Sequence, residues 1–103
     1  MSLPPLSPDQ RAAALEKAAR ARRERAEVKA RLEHGTTTLP DVLKYAAGDE
    51  VLARMKVSSL LEALPGVGKV RAAQAMERLG ISESRRVRGL GASQRAALLD
   101  WAG

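Results

Sequence analysis

Between Pro8 and Gly35 the chain contains neither proline nor glycine, and this uninterrupted run constrains the fold more than any other feature. Ser7, Pro8, Asp9 and Gln10 supply a helix start: serine at the cap, proline at the first helical position and glutamine at the third, a capping-box pattern. Gly35, after His34, is a natural left-handed C-cap. A helix of about seven turns is therefore predicted. Its large apolar residues are Leu15 near one end and Val28 and Leu32, spaced i, i+4, near the other. The intervening KAARARRERAE can be held by Glu16/Arg20, Arg20/Glu24 and Arg23/Glu27 pairs without burying anything. The C-terminal half is expected to dock and the N-terminal half to project.

From Thr36 onward the pattern predicts compact helices with short joints. Thr38 and Asp41 cap LPDVLKYAAG, with Leu39, Val42, Leu43 and Ala46 on one face. Gly48 and Asp49 restart the chain. DEVLARM then points Val51, Leu52 and Met55 inward, and VSSLLEAL does the same with Val57, Leu60, Leu61 and Leu64. KVRAAQAMERLG ends at Gly80 and offers Val70, Met76 and Leu79 to the core. ISESRRVRGLG is too interrupted for a long helix, although Ser84 could cap one turn. GASQRAALLDWAG closes the chain with Leu98, Leu99 and Trp101 inward. No run alternates at period two, so no sheet is expected. The predicted fold is all-α: residues 1–35 a flexible lead-in, MSLPPL, and a long charged helix, residues 36–103 a compact domain.

Eighteen lysines and arginines against twelve acids give a net charge of +6, which points toward a polyanionic partner. The excess sits in two places. Residues 7–35 carry +3 and residues 65–91 carry +4, whereas 36–64 carry −1 and 92–103 are neutral.

The second basic region begins with LPGVGK. Glycine permits backbone angles closed to other residues and lets an external group approach the chain. Gly68 falls at the start of a predicted helix, where unpaired N–H groups and the helix dipole favour an anion. Gly66, Val67 and Gly68 can then offer amides to a phosphate, Lys69 and Arg71 add charge, and Pro65 stiffens the entry. A tight turn serving only helix packing is the plainer alternative. Leu64, Pro65, Gly66, Val67, Gly68 and Ala72 resemble a helix-hairpin-helix motif. Ala75 stands where that motif often has a larger aliphatic residue, so looser packing is expected there.

Arg85, Arg86 and Arg88 form another basic element, with Glu83 the only acid close in sequence. If Val87 anchors the turn, the arginines face outward, and guanidinium pairs well with phosphate. On the first helix Arg22, Arg25 and Lys29 share a narrow arc that could track a backbone. A solvated, salt-bridged face is the alternative for the helix, and a merely solubilising cluster is the alternative for the arginine turn.

Little supports other chemistries. Cysteine is absent, which removes disulfides and thiolate metal sites and makes a reducing cytoplasm the expected compartment. Neither an apolar run of membrane-spanning length nor a signal-peptide pattern is present. His34, the sole histidine, falls at a helix end, where stabilising the C-terminal dipole is the expected role. GVGKVR lacks the spacer and the Ser/Thr of a Walker loop. No nucleophile–base set stands out, so no enzyme, metal or cofactor is predicted. Tyr45 and Trp101 are expected as core or interface residues rather than stacking platforms.

Nearly the whole chain resembles the actinobacterial integration host factors, single-chain nucleoid proteins of mycobacteria and streptomycetes. The likeness runs through LPPLSPDQRAAALEKAA, KVSSLLEALPGVGKVRA and RRVRGLGASQRAALL. It implies a helix-two-turns-helix fold, also found in a small-subunit ribosomal protein. It implies further a monomer in the nucleoid that binds duplex DNA with little sequence preference, bends or compacts it, and assists phage integrase complexes. The family's contacts would fall on Pro65, Gly66, Val67, Gly68, Lys69, Arg71, Arg85, Arg86 and Arg88; the arc of Arg22, Arg25 and Lys29, read from helix spacing alone, would add a second, weaker DNA surface. Charge and spacing alone leave RNA or ribosome binding open, and a protein adaptor built on the long helix. A DNA glycosylase of the same fold would need a catalytic N-terminal proline and usually a cysteine zinc finger; residue 2 is Ser2 and there is no cysteine.

Overall fold

A computed structural model describes residues 4–103, so the first three residues of the expected lead-in lie outside it. The described residues form six α-helices and one 3₁₀ turn, with no strand among them. Helix α1 runs from Pro8 to Glu33. Its start forms as the sequence predicts: Ser7 Oγ accepts the Gln10 N–H at 3.1 Å, and Gln10 Oε1 accepts the Ser7 N–H at 2.9 Å. At the other end Gly35 takes φ +72°, and His34 Nδ1 hydrogen-bonds to Ala30 O at 2.8 Å.

Helix α2 (Leu39–Tyr45) is capped by Thr38, and α3 (Glu50–Ala53) by Asp49, whose Oδ1 accepts from both Val51 and Leu52 N–H. Helix α4 (Val57–Ala63) lies at the centre, packed against α5 (Gly68–Arg78) and the C-terminal part of α1. A 3₁₀ turn at Val87–Gly89 leads to α6 (Ala92–Ala102), which packs on α2. Gln94 holds the entry to α6 by accepting from Gly91 N–H and donating to Gly80 O.

The core joins every element. Leu32, Val57, Leu60, Leu61, Met76 and Leu98 are fully buried, with Leu39, Val42, Leu43, Leu52 and Met55 around them. Leu32 is the only fully buried residue of α1, while Leu15 is 65 % exposed. The free half of the helix thus has nothing to pack on. A chain of this length packed into one ball has a radius of gyration of about 13 Å. Here it is 15.9 Å, and the projecting half of α1 accounts for the excess.

Several expectations give way. The Glu16/Arg20, Arg20/Glu24 and Arg23/Glu27 pairs do not form; Glu27 pairs with Arg31 at 2.7 Å. An acid four residues before a base is the better order, which disfavours the second and third pairs, and water screens the first on the free half. Val70 is 71 % exposed because Ala72, Ala75 and Met76 define the buried face of α5 and Val70 points away from it. Tyr45, 63 % exposed, lies off the α2 face that Leu39, Val42, Leu43 and Ala46 bury. Leu64 is half-buried, and Ala63 takes the inward place. Ser84 caps nothing: Arg86 holds the cap position of the 3₁₀ turn, and the Ser84 N–H donates to Ser82 Oγ.

Candidate nucleic-acid interface

The hairpin between α4 and α5 adopts the open-ended geometry that its glycines allow. Gly66 and Gly68 take φ +75° and +68°, and a Cβ at either would meet nothing within 4 Å. Glycine is required there by backbone angle rather than by crowding, and the space above the loop is clear for a ligand. Val67, at the cap of α5, contributes no capping side chain. The N–H groups of Gly66, Gly68, Lys69 and Val70 have no acceptor among the described residues. Val67 departs from expectation: its N–H donates to Leu64 O at 3.1 Å, because closing the turn consumes that amide. Arg71 also differs from a free charge, since its Nη1 donates to Gly66 O at 3.0 Å and braces the loop. Pro65 and Lys69 are exposed beside it.

The arginine turn is clipped to the start of α4. Val57 N–H donates to Arg85 O and Val87 N–H to Met55 O, forming an isolated bridge between Lys56 and Arg86. Val87 is buried, and Arg85, Arg86 and Arg88 are exposed. Arg85 Nη1 donates to Gly89 O and Arg86 Nη1 to Arg54 O. One carbonyl each leaves most of a guanidinium's five donors unspent. None of the three arginines forms an ion pair among the described residues; the pairs there are Arg31–Glu27 and Arg54–Glu50.

Folding brings the arginine turn and the first helix together. A cleft of about 320 Å³ is walled by Arg25 and Lys29 of α1, Arg54, Lys56 and Arg86, with no acidic residue in its lining. Arg22, one turn earlier on α1, is exposed and lies outside it, as does Arg88. Lys56 also borders a neighbouring groove with Lys69 of α5, shared with Glu62 and Glu83. The basic surface therefore runs from α1 to the arginine turn, and between Lys56 and the hairpin's Lys69 it is interrupted by Glu62 and Glu83. Sequence reasoning missed Arg54 and Lys56, because their segment carries a net −1. Their alternation around the buried Met55 was the usable signal: if that side chain is inward, its neighbours are outward.

The other side of α1 has the opposite sign. Glu24, Glu27 and Asp49 line a groove with Tyr45 and Arg31. Glu24 Oε2 is buried without a partner, and the carboxyl is held above the usual carboxylate range. Burial is the first cause, followed by the neighbouring Asp49 carboxyl and then the negative charge of Glu27. Helix α1 thus forms a ridge between a basic cleft and an acidic groove. No group of His, Cys, Asp or Glu side chains among the described residues could hold a metal ion, and no described helix is long and apolar enough to cross a membrane.

This architecture, a long helix leading into two tight turns between helices, has a known class. Residues 32–101 match the S13-like H2TH domain family, a span that begins at the buried Leu32. Integration host factor of Streptomyces coelicolor is 69 % identical over 98 residues, covering 95 % of this chain and 92 % of that protein. Integration host factor of Mycobacterium tuberculosis is 63 % identical over 100 residues, covering 97 % and 95 %. A solved structure of sIHF bound to an 8-base-pair palindromic DNA superposes with a TM-score of 0.83 at 65 % identity, over 85 % of this chain and 99 % of that one. The chain belongs to the integration host factors, a family built on the S13-like H2TH domain.

Proposed function

We propose that this protein binds duplex DNA through backbone phosphates, with little sequence preference, and bends or compacts it as a nucleoid component. The observation that carries the reading is the cleft in which Arg25, Lys29, Arg54, Lys56 and Arg86 meet without a lining carboxylate. Such a surface supplies charge but no pattern of donors and acceptors fitted to base edges, so it positions DNA rather than reading it. A relative solved with palindromic DNA supports the choice of ligand.

The hairpin amides and the arginine turn stand at opposite ends of α4. Eight residues separate Lys56 from Leu64, about 12 Å along the axis, a span comparable to the width of the major groove of B-DNA. The two grips can hold one groove from both sides, the amides and Lys69 on one strand and Arg85, Arg86 and Arg88 on the other. The five-cation cleft extends the contact toward α1, where Arg22 continues it. Residues 36–103 act as the gripping body, and the charged helix α1 of the N-terminal segment adds reach. Additional contacts offset the cost of bending the duplex. Binding, not catalysis, is the work of this site. The protein acts as a monomer in the cytoplasmic nucleoid, and phage integrase–DNA complexes are natural assemblies for it to join.

The test is a gel-shift series with unrelated duplexes across a range of salt. Arg85→Ala with Arg86→Ala should weaken all duplexes alike, by about a hundredfold, and lower the salt slope by up to about 0.9 for each lost phosphate contact. An unchanged slope, or structured RNA outcompeting DNA at fixed salt, would count against this reading.

A further inference from the structure

The loop that carries Arg85, Arg86 and Arg88 leaves the protein body at the end of α5 and rejoins it at the start of α6. Its middle is fastened to the start of α4 by the Val57–Arg85 and Met55–Val87 backbone bonds and by the buried Val87. One side chain ties its two ends. Gln94 Oε1 accepts the Gly91 N–H at 3.2 Å, and Gln94 Nε2 donates to Gly80 O at 3.2 Å. Gly80 takes φ +67° just past the end of α5, and Gly91 is the cap residue of α6. The carboxamide thus joins the loop's exit to its entry.

Helix α5 packs on α4, whereas α6 packs on α2, so the loop hangs between helices with different supports. The α6 side is firm: Leu98 is fully buried, and Arg95 Nη2 donates to Leu43 O of α2 at 3.4 Å. Glutamine suits the tie because its planar group carries an acceptor and donors together. A carboxylate could take only the Gly91 N–H, and an ammonium only the Gly80 carbonyl. Inside the loop, Arg85 Nη1 donates to Gly89 O, and a Cβ on Gly89 would come within 3.1 Å of the Arg85 Cδ. The arginines are exposed, while Gln94 is half-buried and both of its bonds run to backbone.

We propose that Gln94 is a positioning residue for DNA binding: by tying Gly80 to Gly91 it holds the arginine loop in its bound shape before DNA arrives. A loop already ordered pays less for its ordering on association. The inference rests on the reading of DNA as ligand, and its separate content is a residue that acts only through Arg85, Arg86 and Arg88.

The experiment is a mutant cycle on the intact protein, read by gel shift with unrelated duplexes. Gln94→Met keeps the length of the side chain and removes both bonds; Gln94→Asn keeps the amide but is one methylene too short to span both partners. Each should weaken binding about tenfold with the salt slope at its wild-type value, because every phosphate contact still forms in the complex. In a chain that also carries Arg85→Ala, Arg86→Ala and Arg88→Ala, the same changes should cost less than about twofold, since the tie then has nothing to position. Amide hydrogen exchange in the free variants should quicken across residues 81–91 and stay unchanged in the α4–α5 hairpin. A tenfold loss that persists without the arginines, a salt slope that falls, or unchanged affinity in the two variants overturns the assignment. Failure of the wild-type protein to bind any duplex overturns instead the reading of DNA itself.

Discussion

The hairpin and the basic cleft bind anions by opposite constructions. The hairpin is local: five consecutive residues, two of them glycines with positive φ, arrange the unpaired amides. The cleft is assembled from α1, the α3–α4 joint and the arginine turn, residues as far apart as Arg25 and Arg86. A local site tolerates damage elsewhere but depends on its own backbone. An assembled site depends on the packing that holds its walls together. What the difference teaches is where each can be broken.

The largest effect should come from Leu32→Ala, which undermines the cleft through the core. Truncating a fully buried leucine costs roughly 2–5 kcal/mol, and this one is the main anchor of α1. Thermal unfolding should fall sharply, and DNA binding measured below the transition should lose the Arg25 and Lys29 part of the salt slope. The hairpin contribution, remote from that anchor, should persist. A stability change under about 1 kcal/mol would mean that α1 is held by something else.

Next in size is Gly66→Ala or Gly68→Ala, which attacks the hairpin alone. Open space at both positions means the cost is backbone strain, about 1 to 2 kcal/mol. Chemical denaturation should register it, and affinity should fall while the cleft's salt slope is kept. Lys56→Ala tests the link between the two sites. It should leave stability within about 0.5 kcal/mol and reduce the salt slope by up to about 0.9; no change in slope would separate the hairpin from the cleft.

The smallest effect belongs to the acidic side of α1. Because the Glu24 carboxyl is raised in the folded state, its favourable contribution is complete below the unfolded carboxylate range and is lost as pH rises through the folded pKa. Glu24→Gln should therefore raise the melting temperature slightly at neutral pH, with less gain in acid. A gain that is larger in acid would contradict the arrangement with Asp49.

Much of this was legible in the sequence because it depends on neighbours. The cap at Ser7, the left-handed stop at Gly35 and the docking of Val28 and Leu32 follow from spacing within one helix. The same holds for the glycine hairpin and for Val87 as the buried residue among outward arginines. Val70 and Tyr45 could not be placed that way, since hydrophobicity says that a residue can be buried but not which face finds a partner. The fate of the Val67 amide was also hidden until the turn's closing bond was visible.

Sequence by itself determined the helices, their ends and a loop with spare amides, because helix capping and backbone sterics act over a few residues. Tertiary structure alone decided that Arg54 and Lys56, in a segment of net negative charge, stand with Arg25, Lys29 and Arg86, and that Gln94 reaches back to Gly80 across the ends of the arginine loop. The reason is range. Charge counted along a chain averages each residue with its sequence neighbours, whereas the field that a phosphate meets is the sum over residues that packing has brought side by side.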